Sequence, residues 1–244
     1  MSALAAPRCS AAAPPLGAAL GAIVIAGLIT GLGSWWLAFI VAGIGTMACG
    51  LQTERSIRFA LWNNEEGSHA GSRTYAAQRA PLQGKEDPPG SGSYPEPKWL
   101  GMVQHDMVLW DHGMPRADGT VSPEQRPEAD VNIEFQSNAR FADQAMKLAF
   151  FFRDANEKYA PDYPAAIGHH MSNTDSSEFM NLVPAISLRE NERGMQIGAG
   201  WNPHYHQATD TYSAYSDKDF RLGLNAAQTT LAAIGQLVGA TLKK

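Results

Sequence analysis

Charge is missing from the front of this chain. Between Cys9 and Thr53 there is no Asp, Glu, Lys, Arg or His, so no acid–base or carboxylate–imidazole metal chemistry can be carried by that stretch. No His or Asp occurs anywhere before Glu65. Cysteine is scarce as well. Cys9 and Cys49 are the only two; they lack metal-ligand spacing and supply no disulfide framework. Lys and Arg number 19 against 24 Asp and Glu, for a net charge of −5. That mildly acidic balance, with no basic stripe in the sequence, argues weakly against nucleic acid as a partner. No internal repeat is present.

In place of charge, residues 16–50 hold LGAALGAIVIAGLITGLGSWWLAFIVAGIGTMACG, longer than the ~20 apolar residues that cross a bilayer. The run also exceeds the apolar core of a plain signal peptide, while Arg8 ahead of it fits a signal-anchor pattern. Residues 16–50 thus read as a membrane anchor or re-entrant hairpin, which points to a secreted, periplasmic or membrane-anchored protein. Their many Gly and Ala residues also suit a buried, loosely amphipathic segment. After Thr53 the composition is that of an ordinary folded domain, and 244 residues suffice for one sizeable core.

Periodicity divides that domain into elements. SIRFALW (56–62) alternates Ile57, Phe59 and Leu61 as a short buried strand does. Residues 70–78 read as helix, and QGKEDPPGSGSYPEP (83–97) as loop. WLGMVQHDMVLW (99–110) is the next strand. A polar excursion, HGMPRADGTVSPEQRPEA, precedes a further strand in ADVNIEF. Residues 138–159 place Phe141, Ala145, Leu148, Ala149 and Phe152 on one helical face. Short strands follow at 164–167 and 183–188, then a helix over 222–242 with two lysines at its end, where they suit the helix dipole. Strands alternating with helices predict an α/β fold, a three-layer α/β/α sandwich with a mixed, largely parallel sheet.

In open α/β sheets, ligands bind beyond the carboxyl ends of the strands. Glu65 and Glu66 follow the 56–62 segment, Asp106 sits at the end of the VQHDM strand, and His206 lies in the loop NPHYHQATDT before the last helix. Each has a plain structural reading. A Glu-Glu pair is commonly a solvated helix start, and a lone His is commonly a hydrogen-bonded surface residue. Asp106 is harder to set aside, because a carboxylate in an apolar strand needs a partner or a metal. His105 alternates to the opposite strand face and reads as structural. His169, His170, Asp111 and His112 form no pattern. Two carboxylates and an imidazole on separate loops suit zinc, which takes O and N ligands, with a further carboxylate free to act as base toward a metal-activated water.

RSIRFALWNNEEGSHAGSRTY resembles the signature of the two-zinc aminopeptidase family, which includes aminopeptidase Y, bacterial leucyl aminopeptidase and glutamate carboxypeptidase. VQHDM resembles its Asp-Met strand end. TDSSEFMNLVPAISLRE resembles its Ser-Asp, Pro-Phe, Gly-Ile-Pro-Ala segment, with Ser177 and Glu178 departing from the usual residues. NPHYHQATDTYS resembles its closing Tyr-His motif. The four motifs keep order and spacing over roughly residues 47–240. The resemblance implies a zinc exopeptidase, foremost an aminopeptidase, acting on a peptide or dipeptide. Glu65 would be the general acid/base, Glu66 and His206 would hold one zinc, and Asp106 the second.

The family also uses a His-x-Asp strand and a metal-bridging Asp before the Glu-Glu pair, and this chain has neither. The sequence therefore divides into an atypical uncharged segment, 1–46, and an exopeptidase-like catalytic domain, 47–244, incomplete at its N-terminal side. Either residues 1–46 are foreign to the family domain, or the chain is a membrane-anchored, metal-poor relative. Both imply impaired catalysis with one zinc or none. The same fold also carries single-zinc glutaminyl cyclases and non-catalytic receptor ectodomains that act as binding modules.

Overall fold

A computed structural model describes residues 51–110, 131–190 and 202–242; the 16–50 membrane reading, Asp111 and His112 lie outside them. The described residues fall into two compact units, one within residues 62–229 and the other combining residues 51–61 with 230–242.

Strand β1 (Leu51–Gln52) belongs to the smaller unit; in the larger unit, four strands form a mixed sheet: β2 (Met102–His105), β3 (Val131–Glu134), β4 (Ala165–Gly168) and β5 (Ala185–Glu190), in the order β2-β5-β3-β4. β2 runs parallel to β5 and β3 parallel to β4, while β3 and β5 are antiparallel. β3 and β5 are buried along their whole length, so neither alternates polar with apolar residues as a half-exposed strand would. Helix α2 (Ala142–Tyr159) lies against β3, β4 and β5. It buries Ala145, Ala149, Phe152 and Ala155, the stripe its 3.6-residue period marks out. Asp143 in its first turn and Lys158 in its last suit the helix dipole, and Pro161 just beyond keeps the helix from continuing.

One polar residue on that face, Asn156, is fully buried. Its amide nitrogen lies 3.0 Å from the Ala160 and Tyr163 carbonyls and from Thr229 Oγ1, and its oxygen accepts from the Ala165 N–H at 3.0 Å. A side chain with every polar atom engaged can sit at zero exposure without an unmet desolvation cost.

Helix α1 (Ala70–Arg79) begins hard against the chain before it. The Gly71 N–H donates to the Asn63 carbonyl at 3.2 Å, and a Cβ on Gly71 would stand 2.5 Å from that same oxygen. Backbone cannot yield as a flexible side chain can, so Gly71→Ala is expected to cost about 1–3 kcal/mol, seen as a lower urea midpoint at unchanged slope.

Two expectations change here. Residues 56–62 join no strand ladder among the described residues. Their alternation records which side chains are half-buried, and that pattern says nothing of a backbone partner. The last helix, α3 (Asp217–Leu237), starts earlier and ends sooner than 222–242. Gly239 turns the chain with φ +63°, a conformation that suits glycine beyond a helix end. In the smaller unit Thr241–Leu242 then pairs antiparallel with Leu51–Gln52, and Arg55 donates to the Leu237 carbonyl at 2.7 Å.

Candidate active site

Asp106 is the first residue beyond β2, and its N–H still donates to Leu188 of β5 at 3.0 Å. Its Oδ2 accepts from Thr174 Oγ1 at 2.8 Å and lies 3.0 Å from the Arg189 guanidinium. Arg189 itself is only 2% exposed. It also stands 3.2 Å from Glu134 of β3 and donates to the Ser172 carbonyl at 3.1 Å. A cation projecting from the middle of the sheet thus ties together β3, β5 and the end of β2.

Glu65 and Glu66 occupy the turn leading into α1. Asn64, Ser68 and His69 in that turn all have left-handed backbone, φ 58°, 67° and 57°, which is costly for non-glycine residues and gathers at functional sites. The turn sends the two adjacent carboxylates apart. Glu66 reaches His206 Nε2 at 2.9 Å, across 140 residues of sequence. Glu65 lies 3.8 Å from His69 Nε2. Burial, then the negative charges of Asp106, Glu66 and Asp175, push the Glu65 carboxyl up to about 7, with His69 acting the other way. Those influences put Glu65, Glu66, Asp106 and Asp175 in one electrostatic neighbourhood.

Tyr205 belongs to it as well. Its ring stacks on His206 at 3.9 Å, and burial followed by the Glu66, Asp106 and Glu65 charges raises its phenol. His105, read from the sequence as structural, is held down at about 4 by burial, a neutral imidazole. The rings of His169 and His170 lie 3.9 Å apart, tilted by 45°.

Beyond the site residues expected from the sequence, the structure brings in Arg189, Thr174, Asp175, His69 and Glu190, and also Glu178, marked in the sequence only as a departure from its motif. For Arg189 and Glu190 the usable signal is AISLRE, where two charges end an otherwise uncharged strand. Glu190 accepts from the Leu109 and Trp110 N–H groups and from Asn202. Burial nevertheless pushes its carboxyl up to about 8, those hydrogen bonds opposing.

The pH dependence of stability follows. Glu65 and Glu190 have folded-state values above the unfolded one, so their contribution is complete below about 4.5 and is lost as pH rises through about 7 and about 8. His105 works oppositely, but only between about 4 and 6.5. Stability is therefore expected to fall from pH 6.5 to 8.5. Glu190→Gln should flatten the upper part of that slope in urea titrations, and an unchanged slope would count against the assignment.

Zinc accepts the O and N donors that Glu66 and His206 supply. Their side chains are 71% and 51% exposed, which leaves room for water to complete a coordination shell. Among the described residues no three His, Cys, Asp or Glu side chains converge on one point, and Asp106 is already matched by Arg189. The donor set fits one edge of a single zinc site.

A mixed sheet of four strands flanked by helices defines the class of the protein as an α/β fold. The chain belongs to peptidase family M28, whose description matches residues 37–230. No curated protein matches it in sequence. Similar solved structures include LapA aminopeptidase from Legionella pneumophila (TM-score 0.59, 14% identity, 86% of this chain and 47% of that one). The aminopeptidase of Aneurinibacillus sp. strain AM-1 is similar too (0.54, 19%, 86% and 40%), as is BSAP, a zinc aminopeptidase from Bacillus subtilis (0.54, 14%, 84% and 41%). At such identities the likeness is one of fold, and the chain spans less than half the length of each. Among the described residues no helix is long and apolar enough to cross a membrane.

Proposed function

We propose that this chain carries part of a zinc-dependent exopeptidase site, with Glu65 as general base. Glu66 and His206 would hold zinc, and Asp106 would stand where a second ion is approached. The observation that carries the reading is the divergence of the two adjacent glutamates, one meeting His206 and the other turned toward His69.

When bound, zinc would supply a more acidic water and a polarised carbonyl. Glu65 would take the proton of the attacking water and return it to the departing amine. The carboxylates of Glu65, Asp106 and Asp175 favour a substrate that presents an ammonium group, which supports an aminopeptidase over a carboxypeptidase. Because the His-x-Asp strand and the bridging Asp are absent ahead of Glu65, turnover is expected to be low.

A second reading, a relative that binds peptides without cleaving them, is favoured by the hold of Arg189 on Asp106. Assays on zinc-supplemented protein decide between the two. Chelator-sensitive release of nitroaniline from an aminoacyl-nitroanilide, without cleavage of an acidic dipeptide, supports the aminopeptidase. Zinc bound with neither substrate cleaved supports the binding module.

A further inference from the structure

The loop that carries His206, NPHYHQATDTYS, is closed on itself by side chains the reaction scheme does not use. Asn202, 8% exposed, is its hub. Its Oδ1 accepts from the His204 N–H at 2.9 Å, and its carbonyl accepts from the Tyr205 N–H at 3.3 Å. Its amide nitrogen donates to Glu190 Oε1 at 3.2 Å. The same side chain hydrogen-bonds the Tyr215 hydroxyl, which in turn donates to Asp210 at 2.5 Å. His204 and Tyr215 both meet Trp110 edge to face, with ring centroids 5.5 and 6.4 Å away. His206 sits in the middle of this loop with left-handed backbone, φ 55°, a conformation that lasts only where the surroundings impose it.

Glu190 joins the loop to the other side of the site. It is the last residue of β5 and 5% exposed. Its Oε2 accepts from the Leu109 and Trp110 N–H groups at 3.0 and 2.5 Å, and its own N–H donates to the Met107 carbonyl at 2.5 Å. One carboxyl thus holds the segment that follows Asp106 with one oxygen and the His206 loop with the other. A carboxyl oxygen keeps an acceptor lone pair whether or not the group carries a proton, so the tie to Asn202 holds in both states.

We propose that Glu190 is a positioning residue for His206: through Asn202 it fixes where the loop presents the imidazole that meets Glu66. The inference rests on reading Glu66 and His206 as a zinc pair. What the position requires is an acceptor on each oxygen, and an amide supplies only one. In Glu190→Gln the amide oxygen can still take the Leu109 and Trp110 N–H groups, but the amide nitrogen meets that of Asn202, donor against donor. Turning Asn202 over would relieve the clash only by giving up the His204 N–H bond, so the loop loses a tie either way. Adding Asn202→Asp to Glu190→Gln restores a donor–acceptor match between the two positions and keeps an acceptor for His204.

Amide hydrogen exchange on the metal-free chain tests this, together with zinc affinity from competition with a chromophoric chelator. Glu190→Gln is expected to speed exchange at His204, Tyr205 and Gln207 about 10-fold or more, with no matching rise in β3 and β5. Zinc binding should weaken about 10-fold, the lower end of the loss for groups that support a ligand. The double variant, Glu190→Gln with Asn202→Asp, should recover most of both. Unchanged exchange in the loop, a rise spread equally over β3 and β5, or a double variant no better than the single would each overturn the proposal. Should Glu190→Gln not fold, Asn202→Ala cuts the same tie from the other end and decides by the same loop exchange. If the wild-type chain binds no zinc, the zinc-pair reading falls while the exchange result stands. If zinc binds and the loop ignores Glu190→Gln, only the role of Glu190 falls.

Discussion

Arg189→Met is expected to lower the free energy of unfolding by about 3–5 kcal/mol, the usual loss when one partner of a buried ion pair is removed. The guanidinium is 2% exposed and faces two carboxylates, Asp106 at 3.0 Å and Glu134 at 3.2 Å. Methionine fills much the same volume but leaves both negative charges without their cation. Glu134, 8% exposed at its side chain, suffers most, since Asp106 at 23% can recover some hydration. Most of the loss should return in Arg189→Met combined with Glu134→Gln, because the amide needs no counter-charge. Equilibrium urea unfolding of the three proteins checks this; a single variant within 1 kcal/mol of wild type would mean that the triad is not held in solution.

Glu66→Ala and His206→Ala are each expected to weaken zinc binding by more than about 100-fold, above the loss typical for residues that merely support a ligand. Each removes half of the only carboxylate–imidazole pair at 2.9 Å near the Glu-Glu turn among the described residues. Glu65→Gln should leave zinc affinity nearly unchanged while reducing whatever turnover the loaded chain shows by about 10²–10⁴-fold, the range for loss of a general base. Affinity by calorimetry or competition with a chromophoric chelator is the decisive readout, since it does not depend on turnover. If Glu65→Gln lost zinc and Glu66→Ala kept it, the roles of the two neighbours would be exchanged. Asp106→Asn offers a further contrast. A carboxylate already paired with Arg189 should matter more to stability than to the first zinc.

Much of this was written locally. The stripe Ala145, Ala149, Phe152 marks α2 whatever packs on it, because helical spacing alone decides which side chains share a face. The four ordered motifs marked the family, and adjacency alone guaranteed that Glu65 and Glu66 would leave one turn together. Where local pattern stopped short, the missing information was the identity of a partner. Alternation in 56–62 reports half-burial, but a strand exists only when another backbone accepts its hydrogen bonds, and none does among the described residues.

Charges show the same limit more sharply. That Arg189 ends an apolar strand is visible in AISLRE; that its partners are Asp106 and Glu134 depends on β5 lying between β2 and β3 in one register. That Glu66 meets His206, and that Glu178 reaches back to His69 across 109 residues, are likewise products of tertiary packing. Periodicity encodes burial because it needs only the geometry of one chain segment. Pairing of distant charges needs the relative placement of two segments, and only the folded chain supplies that.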